Sequence, residues 1–129
     1  MTNAKIENPF DFLTKQTEPD ALPHLAQQSE EQRLVAENVR SFMDAKVLPR
    51  VEELEEGNTQ VLLELFSAAS ELGLLGLEIP EEYGGLGLSF TTAMMVAAEL
   101  ARQASFSTAM GAHFGIGTLP LVLFGSDAL

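Results

Sequence analysis

The feature that most constrains this chain is the near absence of charge in its C-terminal third. After residue 83 the only charged side chains are Glu99, Arg102 and Asp127, although the 129 residues carry a formal net charge of −12. A helix that is apolar on all sides is either buried in protein or inserted in a membrane. The two short helices predicted before this region are too small to cover it. The pattern therefore indicates that something outside this chain covers its apolar surface.

Composition excludes several classes of function. The length fits one domain, and 46% hydrophobic residues exclude a disordered chain. The absence of cysteine removes disulfides, thiolate metal sites and cysteine nucleophiles, and it fits a reducing compartment. Binding to nucleic acid or to anionic lipid requires a basic surface, so the acidic balance excludes both as partners.

Residues 1–28 predict an irregular N-terminal arm, because their three prolines prevent a continuous helix. We expect the arm to pack through its apolar cluster of Phe10, Phe12 and Leu13. It has no apolar run behind a basic start, and it is acidic, so neither a signal peptide nor a transit peptide is evident. This predicts a cytoplasmic protein.

Two amphipathic helices are predicted next. Ser29 and Gln32 form a capping box at the start of the first, whose apolar stripe is Val35, Val39, Phe42 and Met43. The acidic run at residues 52–56 has no histidine near it, which indicates a solvated helical turn and no metal site. Asn58 or Thr59 caps the second helix, and Gly73 ends it in a left-handed conformation.

A loop rich in glycine occupies residues 74–88. It includes Pro80 and four glycines, which defeat any regular element. No Lys-Ser or Lys-Thr pair follows the glycines, and no strand precedes them, so this is not a phosphate-binding loop. Ser89 caps the third helix, in which Glu99 and Arg102 stand close enough to pair across one turn.

The fourth helix, predicted at residues 105–117, has a face of small residues. Helical spacing places five of them together: Ser107, Thr108, Gly111, Ala112 and Gly115. Phe106, Met110 and His113 point elsewhere. Glycine inside a helix costs about 1 kcal/mol relative to alanine, so the missing side-chain volume is expected to serve a purpose. Two interpretations are open: close packing against another helix, or a slot for an elongated apolar ligand.

Two other functional readings of this region are weaker. His113 has no Asp, Ser or Cys partner at helical spacing, which favours a hydrogen-bonded core residue over a catalytic base. The uncharged stretch from Gln103 to Ser126 is long enough to span a bilayer. Its hydroxyl side chains, His113, Pro120 and the lack of flanking Lys or Arg argue against a transmembrane segment.

Three stretches carry a family resemblance: LGLLGLEIPEEYGGLGLS, AAELARQASFS and GAHFGIGTLPLVLFG. Together they resemble the N-terminal helical domain of the acyl-CoA dehydrogenase family. The run from Gly111 to Pro120 is most similar to the long-chain and very-long-chain branch. The resemblance implies an all-α fold, an antiparallel helical bundle that is incomplete alone, over residues 29–129.

The resemblance also implies an activity. Family members are FAD enzymes that remove the α-proton of an acyl-CoA with a carboxylate base, while the β-hydrogen leaves as hydride to the flavin. By this likeness Ser107, Thr108, Gly111, Ala112 and Gly115 line the acyl cavity, and the glycines imply a deep slot for long fatty acyl-CoA, as in fatty-acid β-oxidation. No residue here matches the family's base, so no catalytic residue is assigned.

The resemblance finally implies partners. FAD would be bound mainly by a β-domain and a C-terminal helical domain outside these 129 residues, so the chain alone is expected to be inactive. The complete enzyme would be a homo-oligomer, with electron-transfer flavoprotein as acceptor, and in the cytoplasm or peripheral to a membrane. Three alternatives remain: an acyl-CoA oxidase, a flavin monooxygenase of the same fold, or a non-enzymatic helical interaction module.

Overall fold

The structure, a computed structural model, describes residues 28–126, and all regular secondary structure in this part of the chain is helical. The predicted arm contacts of Phe10, Phe12 and Leu13 therefore lie outside the described residues. The α-helices are α1 Glu30–Phe42, α2 Val51–Glu55, α3 Thr59–Glu71, α4 Phe90–Leu100, α5 Ala104–Gly111 and α6 Leu119–Phe124. Single turns of 3-10 helix occupy Leu48–Arg50, Leu74–Gly76 and Glu81–Tyr83, and π-helical turns occupy Met43–Val47 and Ala112–Gly117.

Helix α1 begins as the sequence predicts. The Ser29 hydroxyl accepts a hydrogen bond from the Gln32 backbone at 3.1 Å, and the Gln32 side chain accepts one from the Ser29 backbone at 3.0 Å. This capping box satisfies two backbone donors that would otherwise lack partners. Val39, Phe42 and Met43 are buried on the predicted stripe. Beyond α1 the chain stays helical through the π turn and the 3-10 turn that contains Pro49.

The hydrophobic core lies between α1, α3, α4 and α5. Phe106 of α5 is fully buried at its centre, with its ring 6.1 Å from that of Phe42 and 6.0 Å from that of Phe66. Aromatic pairs at such separations add to the free energy that burial of the rings supplies. Met110 lies one turn further along α5 and is also fully buried. The all-α class predicted from the sequence is therefore confirmed.

Polar contacts between α1 and α4 set the relative direction of these helices. Gln32 donates to Thr92, Arg40 to Glu99, and Arg102, just after α4, to Asp44, just after α1. The residue numbers of the paired side chains increase along both helices, so α1 and α4 run parallel to each other. In an antiparallel bundle the first and third long helices run parallel, and α1 and α4 are the first and third long helices here. The predicted pairing of Glu99 with Arg102 is not what the structure shows, since each binds a residue of the neighbouring helical segment.

The glycine-rich loop is a compact unit held by its own backbone. Leu86 and Leu88 donate to the carbonyls of Gly76 and Leu77 at 2.9 and 2.8 Å, which folds the loop back on itself. Gly73 ends α3 at φ +73, the left-handed conformation that the sequence predicts. At Gly85 a β-carbon would lie 2.1 Å from the Ile79 carbonyl oxygen, so only glycine fits this crossing of two backbones.

Replacing Gly85 with alanine is therefore expected to destabilise the chain. The new β-carbon has to push the Ile79 backbone away, and a forced shift of this kind costs on the order of 1–3 kcal/mol. Urea unfolding followed by circular dichroism measures the loss. Gly111→Ala is the matched control, since its β-carbon meets nothing within 4 Å. It should stabilise the helix by up to about 1 kcal/mol. Equal effects of the two substitutions would contradict this account of the loop.

The ion pair between Arg40 and Glu99 predicts a pH dependence. Hydrogen bonding from Arg40, joined by the charges of Arg40 and Arg102, lowers the pKa of Glu99 below its ordinary value of 4.5. A carboxyl group with a lowered pKa contributes stability above its unfolded pKa, and the contribution disappears as the pH falls through the folded pKa. Glu99→Gln should thus destabilise the chain at neutral pH.

The difference in unfolding free energy between the parent and Glu99→Gln should shrink as the pH falls from about 6 toward about 3. Denaturant unfolding at several pH values measures it. Glu71→Gln, at an exposed position at the end of α3, is the control and should show a smaller effect. A difference for Glu99→Gln that is constant with pH would show that the ion pair does not link α1 to α4.

Candidate functional site: the small-residue face of the C-terminal helical run

The predicted fourth helix is one part of a longer helical run. Helix α5 continues without a break into the π-helical turn Ala112–Gly117, and α6 follows at Leu119. The π turn is closed by the Thr118 backbone, which donates to the His113 carbonyl at 2.9 Å, and by the Thr118 hydroxyl, which donates to the His113 and Phe114 carbonyls. A π turn holds more residues per turn than an α-helix. The helical period therefore changes within the turn that contains Gly115.

The five predicted site residues lie on the outer side of this run. Ser107, Gly111 and Gly115 are half-buried, whereas Thr108 and Ala112 are exposed. A β-carbon added at Gly111 or at Gly115 would meet no atom within 4 Å. Within residues 28–126, no other helix is pressed against these two glycines. The close helix packing considered for this face does not occur inside the described chain.

The opposite side of the run packs into the core, as the sequence predicts. Phe106 and Met110 are fully buried, and the His113 ring meets the Phe66 ring edge-on at 6.0 Å. Among the described residues, His113 has no carboxylate or hydroxyl partner that would make it a general base. The helical run is thus anchored by its large side chains, while its small side chains face outward.

Gln103 fixes where this run begins, a role that sequence reasoning missed. Its side-chain oxygen caps α5 by accepting a hydrogen bond from the Phe106 backbone, and its amide nitrogen donates to Glu55 at 2.6 Å. The Ser105 hydroxyl donates to the same Glu55 oxygen at 2.9 Å. Gln103 is 5% exposed. One carboxylate of the acidic run therefore positions the first turn of α5 instead of being fully solvated.

A cavity of about 230 Å³ lies at the C-terminal end of the run, and the sequence analysis did not anticipate it. None of the five predicted site residues lines it. Its lining joins the glycine-rich loop to α6 through Ile79, Tyr83, Thr118, Leu121, Val122, Gly125 and Ser126. Tyr83 is the chain's single tyrosine and is 60% exposed. An aromatic residue among glycines was the available sequence signal for this site.

Large apolar side chains are exposed in the C-terminal third of the chain. Ile116 is 82% exposed, Phe124 86% and Phe90 68%. Solvent-exposed apolar side chains of this size in one region mark a contact surface more often than a free one. This agrees with the inference from charge that the C-terminal third has more apolar surface than the chain itself can cover.

The arginines of the described residues are paired with carboxylates. Each of the four arginines between residues 28 and 126 has a carboxylate oxygen within 3.9 Å. Arg40 lowers the pKa of Glu99, which is the reverse of the change that a general base working near neutrality needs. No group of three metal-ligand side chains occurs in the part of the chain that the structure describes.

The arginines of the described residues, which could otherwise bind phosphate, already have acidic partners. What the described chain presents is an apolar surface with small residues at its centre. It can position an apolar ligand.

The run Ala104–Phe124, 21 residues, is long and apolar enough to cross a membrane by length and composition alone. Core helices of globular proteins meet the same criteria, so this is weak evidence, although only 11% of the tested segment is buried here. The π turn and Pro120 interrupt the run. Its exposed face also carries polar and small residues, which a lipid-facing helix rarely concentrates on one side.

Comparison with known proteins identifies the chain. The family described as acyl-CoA dehydrogenase, N-terminal domain, matches residues 29–129. A Bacillus subtilis (strain 168) protein named "Probable acyl-CoA dehydrogenase" is 35% identical over 124 residues, which cover 96% of this chain and 21% of that protein. Cyclohex-1-ene-1-carbonyl-CoA dehydrogenase of Syntrophus aciditrophicus is 35% identical over 101 residues, or 78% of this chain and 24% of the relative.

A solved structure agrees with these matches. The crystal structure of an acyl-CoA dehydrogenase complexed with FAD from Bacillus anthracis superimposes with a TM-score of 0.87 at 37% identity, over 92% of this chain and 20% of that one. The chain thus spans about a fifth to a quarter of the length of the relatives it matches. The sequence, the helical fold and the superposition together show that the chain belongs to the acyl-CoA dehydrogenase family, whose N-terminal helical domain it forms.

Proposed function

We propose that this chain forms the acyl-chain side of the substrate site in an FAD-dependent acyl-CoA dehydrogenase that acts on long-chain fatty acyl-CoA. The observation that carries the proposal is the open space beside Gly111 and Gly115, where added β-carbons would meet nothing within 4 Å. Two glycines in a helix are costly and here do not serve helix packing within the described residues. Room for a ligand explains why they are there.

The chemistry of the face suits a hydrocarbon chain. Ser107, Thr108 and Ala112 flank the glycines and are small, and the neighbouring Ile116 is apolar and exposed. An acyl chain buried there would gain about 0.8 kcal/mol for each methylene removed from water. Each glycine leaves space for further carbons, which favours long chains over short ones. Ser107, Thr108, Gly111, Ala112 and Gly115 are therefore proposed as the substrate-binding residues.

The reaction itself is assigned to polypeptide outside these residues. FAD, when bound, accepts the hydride in the dehydrogenation, and the Bacillus anthracis relative is an FAD complex. This chain would hold the acyl tail so that the reacting carbons are fixed with respect to flavin and base. Because no residue here matches the family's base and FAD would be bound mainly by other domains, we propose that the 129 residues alone are inactive. Fatty-acid β-oxidation is the proposed metabolic role.

The exposed apolar surface indicates where further polypeptide binds. Phe90, Ile116 and Phe124 would be covered by a β-domain and a C-terminal helical domain, and a homo-oligomer would bury more of the surface. Electron-transfer flavoprotein is the proposed acceptor for the complete enzyme. A cytoplasmic location, peripheral to a membrane, remains a proposal from the sequence.

The names of the relatives favour a dehydrogenase over an acyl-CoA oxidase or a flavin monooxygenase, since those reported above are dehydrogenases. A helical interaction module that binds a partner helix is the alternative outside enzymology. The same open glycine face would serve it. In the enzyme an acyl chain would occupy the face with Gly111 and Gly115, and in the interaction module a partner helix would occupy it. The following substitution distinguishes these two occupants.

Gly111→Glu in the complete enzyme should shift substrate preference toward shorter acyl chains. The new side chain fills the open space, and excluding two methylenes lowers the long-chain to short-chain ratio of kcat/KM by about tenfold. The measurement is dehydrogenation of a series of acyl-CoA substrates of increasing length. Ala98→Glu, at an exposed position on α4, is the control and should leave the ratio unchanged. An unaltered ratio for Gly111→Glu would refute the acyl slot.

The surface proposed to contact the other domains predicts a solubility effect. The double variant Ile116→Ser, Phe124→Ser should reduce aggregation of the 129-residue chain and its binding of hydrophobic dye, because both side chains are more than four-fifths exposed. The unfolding free energy should change little. In Met110→Ser, which removes a fully buried side chain, stability should instead fall by about 2–5 kcal/mol. Unchanged dye binding in the double variant would argue against an uncovered contact surface.

A further inference from the structure

The π turn at Ala112–Gly117 is held by the side chain of the residue that follows it, Thr118. In an α-helix the Thr118 backbone would donate to the carbonyl four residues earlier, at Phe114. Here it donates to His113, five residues earlier, at 2.9 Å. The Thr118 hydroxyl donates to the Phe114 carbonyl at 3.0 Å and so replaces the donor that this carbonyl loses. The hydroxyl also lies 3.1 Å from the His113 carbonyl, which already accepts the backbone bond.

Two further residues at this end of the turn favour the same break in the α-helix. A β-carbon at Gly117 would lie 3.1 Å from the Ala112 carbonyl oxygen, closer than an ordinary van der Waals contact. In a continuous α-helix, Pro120 would leave the Ile116 carbonyl without a donor, and its ring would clash with that carbonyl. Helix α6 instead starts anew at Leu119 and has the proline in its first turn. The side chains around the turn therefore specify it.

The turn lies between the open glycine face and α6. Gly115 is inside the turn, and the space beside it is open. Each α-helical residue turns the chain by about 100°, so one residue more or fewer in the turn would rotate α6 about its axis by that angle. Leu121 and Val122 of α6 line the same cavity as Tyr83 of the glycine-rich loop. The turn thus sets the backbone beside Gly115 and the side of α6 that meets the loop.

We propose that Thr118 is a positioning residue for the acyl site, because its hydroxyl holds the π turn in the conformation that keeps the space beside Gly115 open. The inference rests on the proposed function, since it takes an acyl chain as the occupant of that space. Thr118 acts through the backbone of the turn and is not assigned a contact with the acyl chain. Turns of this kind inside helices occur frequently at functional sites.

Thr118→Val in the complete enzyme tests the role of the hydroxyl. Loss of the hydroxyl leaves the Phe114 carbonyl without this donor, and the turn is expected to rearrange and narrow the space that long acyl chains need. The long-chain to short-chain ratio of kcat/KM should fall by about tenfold, the factor that corresponds to one lost hydrogen bond. The ratio is measured on a single preparation, so it does not depend on the fraction of folded enzyme.

Two matched variants serve as controls for this substitution. Thr118→Ser keeps the hydroxyl and should keep the parent ratio. Thr91→Val makes the same chemical change at an exposed position on α4 and should also leave the ratio unchanged. A fall in Thr118→Ser equal to that in Thr118→Val would show that the hydroxyl is not responsible.

Hydrogen exchange of the complete enzyme gives a readout that needs no substrate. In Thr118→Val the amides of residues 116–118 should exchange about tenfold faster, because the hydrogen bonds of the turn open more often. Thr118→Ser and Thr91→Val should exchange like the parent. Parent-like exchange in Thr118→Val would show that the turn is held without the hydroxyl, and this would overturn the inference.

The Gly111→Glu variant separates failure of this inference from failure of the proposed function. If Gly111→Glu shifts the chain-length preference and Thr118→Val does not, the acyl site stands and Thr118 does not position it. If Gly111→Glu leaves the preference unchanged, the acyl slot is refuted, and the role of Thr118 in it is refuted with it. A shift in both variants, with the parent ratio in Thr118→Ser, is the result that the inference predicts.

Discussion

The structure depends on one apolar helical run, from Ala104 to Phe124. Large side chains on one side of this run pack into the core, and small side chains lie on its other side. Phe106 and Met110 bury one side fully in the core, where their free energy of burial holds α5 against α1 and α3. The other side carries Gly111, Gly115 and the exposed Ile116 and Phe124. A helix with few charged residues is stable in water only where its apolar surface packs against other polypeptide. The exposed side is therefore where the functional contacts of this chain are to be sought.

The remaining elements hold this run in place. Glu55 binds both Gln103 and Ser105 at the start of α5, and the Arg40 and Arg102 ion pairs fasten α4, which precedes it, to α1. In the glycine-rich loop the backbone of Gly85 packs against the backbone of Ile79. The same loop places Tyr83 beside α6, at the C-terminal end of the helical run. Charged groups thus serve to position helices rather than to react.

Local signals in the sequence predicted much of the fold. The capping box at Ser29, the cap at Ser89 and the left-handed Gly73 all depend on residues within a few positions of one another, and each was found as predicted. The apolar stripe of α1 was found for the same reason. The small-residue face of α5 was predicted from spacing, and its open side is what the structure adds. Its role in binding substrate remains a prediction.

The features that the sequence could not predict depend on contacts between residues that are far apart in the sequence. Glu99 and Arg102 are three residues apart, yet each pairs with a residue about 60 positions away, because α1 and α4 lie side by side. The π turn at Ala112–Gly117 changes the helical period without a proline inside it, so spacing rules do not anticipate this turn. A crystal structure of the complete enzyme with a bound long-chain acyl-CoA would test the central claim most directly. The account predicts acyl carbons in van der Waals contact, at about 4 Å, with the Gly111 and Gly115 backbones. A protein helix filling that space, with the acyl chain elsewhere, would contradict it.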